Sequence, residues 1–379
     1  MPSQLAPLAE ALTPNPYTVL DWLSTSRSAA LLAELAELAE HRSDLTHDVL
    51  DALPQTRVTR HVRAVLVTTG VLPPRQERLA QMNLWLDKAL GHAPPPHRQV
   101  VRPFAEWGLL RHARRSAAHD RYSGSAARRD RSQVQAALDF LSWLDDEGLD
   151  LSSLAQEHLD RWLATRPARY DTLHAFIRWA TARHLTGPLT LPSRPRSSAS
   201  HFLTETAYEQ QLRRCLNDET LQRELRIAGA LICLYALPVS RIIELTTSRF
   251  HREGQGTAYL TFERHPVLLP PKLARLIEDQ IIHRSTTNSL NHELGASDRY
   301  LLPGTVPGSP IDGGTLAKLL GEKGLPVRAA RNTAMIEAVT SLPPIVVADL
   351  LGLHPATVGR WSDQANDSWA SYLAARPKA

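Results

Sequence analysis

Val327-Arg328-Ala329-Ala330-Arg331-Asn332-Thr333, then Leu350-Leu351-Gly352-Leu353-His354, then Trp361-Ser362-Asp363, is the strip on which the reading of this chain turns. Arg331 and His354 stand 23 residues apart in it. Guanidinium forks hold phosphate oxygens two at a time, and imidazole carries protons near neutral pH. Trp361, Ser362 and Asp363 include no phenol. The only Tyr beyond Arg331 is Tyr372, 18 residues after His354 in Trp369-Ala370-Ser371-Tyr372-Leu373. Packing of the last helix is the plain account of that residue.

Upstream, Arg241-Ile242-Ile243-Glu244-Leu245 follows the apolar run Ile227 to Leu237. Phosphoryl transfer builds charge on non-bridging oxygens, and two fixed guanidiniums can hold it. Arg-x-x-Glu on one helical turn is also a common surface ion pair, worth only about 0.2–0.5 kcal/mol. A short β signal at Ala258 to Phe262 and its expected partner at His265 to Leu269 enclose Glu263-Arg264, with no Lys between positions 88 and 272.

These motifs resemble the active-site strip of the tyrosine recombinases, the phage integrase family. There the strip runs His-x-x-Arg-His-Thr, then Leu-Gly-His roughly two dozen residues on, then a nucleophilic Tyr about nine residues beyond. The resemblance implies Arg241 and Arg331 as the two phosphate clamps, with His354 beside them and Tyr372 as the only available nucleophile. Several positions depart from the pattern. Arg328 replaces the first His, which keeps positive charge and removes a proton carrier. Asn332-Thr333 replaces His-Thr, and Leu353-His354 adds one residue to Leu-Gly-His. The family's hairpin Lys is absent. Arg264 or His265 is left there to contact DNA, and a guanidinium is a poor proton donor at neutral pH. Leu268-Leu269-Pro270 and Leu301-Leu302-Pro303-Gly304 match landmarks of the fold rather than of the chemistry.

The implied fold is mainly α. It comprises an N-terminal helical extension over 1–92, a SAM-like core-binding helical bundle over 98–188, and a recombinase-like catalytic domain over 201–379 that is helical with a small β-hairpin sheet. Apolar spacing supports helices over 18–40, where Leu31, Leu32, Leu35 and Leu38 share a face, and over 46–53, 56–69 and 74–90. Gly91 to His97 reads as a stiff linker because of its three prolines. Helices follow at Ala136 to Leu144, Leu154 to Ala164 and Tyr170 to His184. The Pro- and Ser-rich run Leu191 to Ser200 reads as the interdomain linker. Beyond it helices are expected over 204–217, 219–236, 240–246, 271–283, 311–323, 329–341, 344–353, 355–361 and 366–375.

Of the 379 residues, 43 are Lys or Arg, and only five of those are Lys. That leaves 38 Arg, which suits phosphate contacts and equally reflects a GC-rich, bacterial genome. The formal charge of +4 permits nucleic-acid binding without requiring it. Arg111, Arg114, Arg115, Arg121, Arg128, Arg129 and Arg131 put seven Arg in 21 residues, opposed by Asp120 and Asp130. This is either a phosphate-tracking segment or a solvated charged loop.

Double-stranded DNA is therefore the expected partner, held in a C-shaped clamp between the two domains, with a homo-oligomer on DNA as a possible assembly. The chemistry implied is DNA recombination or integration, catalytically impaired. It calls for no metal and no small-molecule cofactor, because this family works with Arg, Lys, His and Tyr. Two other readings stand beside it. Ala348, Gly352 and Val358 have helix-turn-helix spacing, with Thr357 and Arg360 facing outward, as in a transcriptional regulator. A protein-interaction scaffold on the same fold is the third. Cys215 and Cys233 lack metal-ligand spacing and read as buried reduced thiols. With no run of 18 apolar residues and no leader-like start, the expectation is a cytoplasmic, nucleoid-associated protein with no membrane partner.

Overall fold

Among the described residues, four helices begin on a short polar side chain. Thr56, Ser123, Thr204 and Asp312 each accept a hydrogen bond from the backbone N–H three residues on, satisfying a donor that the first helical turn leaves unpaired. The structure, a computed structural model, describes residues 3–13, 16–25, 27–41, 45–119, 122–191, 199–254, 256–287, 300–306 and 308–374. It is mainly α-helical with one small antiparallel sheet. The chain groups into two compact units: Met1–Pro73 with Ser197–Ala379, and Pro74–Arg196.

The N-terminal part of the first unit runs α1 (Ala6–Leu12), α2 (Pro16–Thr25), α3 (Ser28–His41), α4 (His47–Ala52) and α5 (Arg57–Thr68). Leu8, Leu35, Leu50, Val62 and Leu66 form its core. Arg63 is buried there and pairs with Asp51 at 2.7 Å, the condition under which a protein interior tolerates a charge. Among the described residues, Arg57 and His61 join this bundle to the rest of its unit. Arg57 Nη2 donates to Thr305 Oγ1 at 2.7 Å, and His61 Nδ1 lies 3.1 Å from the Thr305 carbonyl. Burial lowers the His61 pKa, the Thr305 carbonyl opposes that shift, and the Arg57 charge adds to it.

The second unit holds α6 (Glu77–Gly91), α7 (Pro95–Pro103), a π-helical stretch over Phe104–Leu110, α8 (Arg111–Ala117), α9 (Gly124–Asp146), α10 (Gln156–Thr165) and α11 (Tyr170–Ala182). Aromatic rings fill its centre edge to face: Phe104 on Phe176 at 5.2 Å and Phe140 on Trp162 at 5.2 Å between centroids. Tyr122 donates to Asp130 in a buried 2.9 Å bond that fixes the entry to α9.

The remainder of the first unit starts with α12 (Glu205–Asn217), α13 (Arg223–Tyr235) and the short α14 (Val239–Ile242). α13 is buried from Ile227 to Cys233, and Gly229 lets α12 approach, since a Cβ there would collide with Cys215 Sγ. Strands β1 (Phe250–Glu253), β2 (Thr257–Thr261) and β3 (Pro266–Leu268) pair in that order, all antiparallel, with Phe250 opposite Leu260 and Leu260 opposite Val267. α15 (Pro271–Thr287), α16 (Gly313–Glu322), α17 (Val327–Ser341), α18 (Pro344–Leu351) and α19 (Pro355–Ala374) complete it. Among the described residues no helix is long and apolar enough to cross a membrane. Cys215 and Cys233 are free and buried. Burial pushes their thiols up to about 11 and about 12 respectively, so both stay protonated near neutral pH.

Several details differ from the sequence reading. Pro95 and Pro96 do not extend a linker. They open α7, because the first helical positions need no N–H from the chain. α6, expected in the N-terminal extension over 1–92, packs Met82, Leu86 and Leu90 into the core of the second unit. The sheet has a third strand, β1, and α19 is one helix where two were expected. The expected helix over 240–246 shortens to α14. Residues 192–198 of the expected linker lie outside the described residues.

Leu86→Ala is expected to cost the second unit about 2–5 kcal/mol, as for other fully buried leucines. Hydrogen exchange should then quicken across α6 to α11 while α3 and α5 keep their protection. Loss of protection in α3 and α5 instead would place α6 with the N-terminal bundle.

Candidate functional site

α13 ends in a left-handed residue, Ala236 with φ of 51°, and this turn directs the chain through Pro238 into α14. Arg241 therefore leaves α14 toward the end of α18. Its Nη1 donates to the Leu351 carbonyl at 3.0 Å, and its Nη2 to the Gly352 carbonyl at 2.7 Å. The carbonyls at a helix C-terminus carry partial negative charge and attract a cation. Nη1 also lies 2.7 Å from Glu263 Oε1, in the turn between β2 and β3. Arg241 thus pairs across the site rather than with Glu244 along its own helical turn.

Arg331 stands in the second turn of α17 and is half-buried. Its Nε donates to the Ala236 carbonyl at 2.8 Å, so the left-handed end of α13 fixes it as the end of α18 fixes Arg241. Burial, and after it the nearby charge of Arg241, hold its pKa below the usual arginine range. The two guanidiniums are therefore close enough to repel each other. Among the described residues, the terminal nitrogens of Arg331 have no protein partner.

Gly352 makes the meeting possible. It adopts φ of 58°, and a Cβ on it would strike Glu263 and sit 2.7 Å from Arg241 Nη1. A second side-chain contact closes the same turn onto α18, with His265 Nε2 3.0 Å from Asp349 Oδ2.

Other sequence candidates land as follows. His354 is exposed, and its Nδ1 accepts from the Ala356 N–H at 3.2 Å, so it caps α19. Arg328 and Arg264 are exposed near this site, on α17 and in the β2–β3 turn. Asn332 is buried and donates to the His201 carbonyl at 3.1 Å, while Thr333 accepts from the Leu203 N–H at 2.9 Å. Both tie the incoming chain to α17. Trp361 packs against the core, Ser362 is half-buried and Asp363 is exposed. The backbone of Tyr372 belongs to α19, and its side chain lies outside the described residues. Arg360 folds along its own helix, with Nε on the Ala356 carbonyl at 3.1 Å and Nη2 3.4 Å from Thr357 Oγ1.

The basic segment of the second unit is helical. Arg111 and Arg115 are exposed on α8, and Arg128 and Arg129 on α9. Arg114 pairs with Glu106 at 2.5 Å, and Arg129 reaches Asp130 at 4.0 Å. Arg131 is a correction, because it is fastened inward rather than presented to a ligand. Its Nη2 donates to the Gln81 carbonyl at 3.2 Å, and its guanidinium lies over the Trp85 ring at 5.7 Å. Arg121 lies outside the described residues. Sequence reasoning missed Glu263 and Asp349 as members of the site. The available signal was an acid in the hairpin turn where the resemblance calls for a cation.

No protein-family model and no curated protein matches the chain. Among solved structures it is similar to XerH site-specific recombinase bound to palindromic difH substrate in a post-cleavage complex, at 14% identity, 78% of this chain, 95% of that chain and a TM-score of 0.48. It is also similar to a lambda integrase dimer bound to a COC′ core site, at 12% identity, 68% and 94% coverage and a TM-score of 0.41. A third is the Tn1549 transposon integrase in complex with a circular intermediate DNA, at 12% identity, 78% and 99% coverage and a TM-score of 0.36. These similar structures are recombinases and integrases. Likeness at this level assigns no role to any residue here.

Asn332→Ala is expected to lower stability by about 1–2 kcal/mol by deleting a buried hydrogen bond, while leaving any ligand affinity of the arginine pair unchanged. Unaltered melting with impaired binding would make Asn332 a ligand contact instead.

Proposed function

We propose that this chain is an integrase-like, site-specific-recombinase-like protein that binds duplex DNA through its phosphates and is impaired in strand cleavage. The observation that carries this reading is the pairing of Arg331, whose terminal nitrogens are unpartnered among the described residues, with Arg241, each anchored by backbone carbonyls at a helix end. Like charges gathered at a partly open surface favour an anion, and a fixed guanidinium fork matches a phosphate oxygen pair. Exposed Arg328 and Arg264 supply further positive charge in the same unit, and exposed Arg111, Arg115 and Arg129 supply positive charge on the second unit.

Impairment follows from what stands at the reacting positions. Trp361 fills the expected nucleophile position and packs inward. Glu263 and Arg264 occupy the hairpin turn where a proton-donating Lys is called for. His354 is engaged as a helix cap. What remains binds a phosphate without supplying the nucleophile or the leaving-group acid.

The helix-turn-helix reading is favoured by one feature. α18 and α19 are joined by Gly352-Leu353-His354, with Gly352 left-handed and Ala348 and Val358 buried. Against it, Arg360 is folded along its own helix, and the antiparallel sheet beside Arg241 belongs to the recombinase reading.

The full chain is expected to bind random-sequence duplex with an affinity that falls steeply as salt rises. Arg331→Ala should weaken that binding and reduce the log–log salt slope by about one unit. Fluorescence anisotropy over a salt series checks both. Absence of salt-dependent binding by the wild type would leave the interaction-scaffold reading, and unchanged binding by both Arg331→Ala and Arg241→Ala would remove the clamp.

No covalent protein–DNA adduct is expected on a nicked duplex carrying a trapping phosphorothiolate, because loss of one member of a catalytic unit costs orders of magnitude in rate. A denaturing gel shows the outcome. An adduct formed by the wild type and abolished by Tyr372→Phe would make Tyr372 the nucleophile.

A further inference from the structure

We propose that Glu263 is a built-in competitor for the phosphate site, holding Arg241 closed until a DNA phosphate displaces its carboxylate. This rests on the reading of Arg241 and Arg331 as the phosphate clamp. An arginine has five N–H donors. Arg241 gives bonds to the Leu351 and Gly352 carbonyls and a charged contact to Glu263 Oε1 at 2.7 Å. The two carbonyls orient the guanidinium, and the carboxylate supplies the negative charge that a bound phosphate would supply.

The approach of Glu263 is arranged by the fold. It lies in the four-residue turn between Thr261 and Pro266, and that turn is strapped to α18 a second time by His265 on Asp349. Gly352 lacks the Cβ that would exclude the Glu263 side chain. An acid also reverses the sign of charge that the resemblance calls for at this turn.

The latch is built to open. Arg241 and Glu263 are 31% and 45% exposed, and His265 and Asp349 are 54% and 55% exposed. Ion pairs this solvated are weak, so a polyanion that also engages Arg331 and the surrounding arginines can expel the carboxylate into water. Duplex DNA then binds against an internal competitor, and weak isolated anions do not bind well. The device sets a threshold that favours a ligand offering many phosphates over one offering a single charge.

Glu263→Gln keeps the side-chain shape and removes the charge. It is expected to raise affinity for a short random duplex about three- to ten-fold at low salt and to steepen the salt slope by about one unit. Glu263→Asp withdraws the carboxylate by one methylene at constant net charge, and is expected to raise affinity in the same direction. The Glu263→Gln gain should vanish in an Arg241→Ala background. Anisotropy titrations of the full chain, with melting curves for every variant, give all four values. Unchanged affinity in both Glu263 variants overturns the latch, as does a Glu263→Gln gain that survives in Arg241→Ala, since that gain would be long-range charge alone. If Arg331→Ala still weakens binding in either case, the phosphate clamp stands without its latch. If Arg331→Ala and Arg241→Ala both bind like wild type, the clamp itself fails.

Discussion

Arg241 is held by the end of a helix to which it does not belong. The last carbonyls of α18 have no partner within that helix, and Gly352 turns left-handed so that its own carbonyl and that of Leu351 face the same guanidinium. This one capture joins α14, α18 and the β2–β3 turn, and it decides where the charge of Arg241 sits. Arg331 is fixed by the same device in another place, the carbonyl of left-handed Ala236 at the end of α13. Two cations are thus set beside each other by backbone dipoles. The cost of that repulsion is visible in the lowered pKa of Arg331, after the larger effect of burial. Glu263 gives Arg241 a carboxylate partner, while among the described residues the terminal nitrogens of Arg331 have none.

The arginines themselves were legible in the sequence because their spacing to neighbours such as Glu244-Leu245 and Gly352 is local and patterned. Their partners were not. Glu263 lies 22 residues from Arg241, and only the register of β2 against β3 brings it to α18. Nothing in a one-dimensional reading ranks Glu263 above Glu244 as the partner of Arg241, since helical spacing favours Glu244. β1 escaped notice for a related reason. Phe250-His251-Arg252-Glu253 is exposed along most of its length, so it carries no apolar alternation, and its strand character comes from pairing with β2. The prolines at 95 and 96 misled by their usual meaning, which reverses at the first two positions of a helix.

Asn332, Thr333 and His354 tie α17 and α19 to nearby backbone. Each occupies a place where the resemblance expects a group acting on phosphate, and each instead bonds to nearby backbone. Amide and hydroxyl side chains satisfy buried or terminal peptide groups without a proton to give at neutral pH. Ground-state phosphate contacts do not by themselves accelerate a reaction, so the binding proposed for the arginine pair does not require bond-breaking.

The same distinction between fixed and available charge applies to the second unit. A count of seven arginines in 21 residues overstates what that segment offers to a polyanion. Arg131 is bound to the Gln81 carbonyl and covers Trp85, and Arg114 answers Glu106. Arg111 and Arg115, four residues apart on α8, occupy the same exposed face of that helix. Salt sensitivity scales with the phosphates actually neutralised rather than with basic residues in the sequence. On the proposed reading, the exposed arginines at 111, 115 and 129 would set the contribution of this segment, and the inward ones would act only through the stability of the helices that carry them.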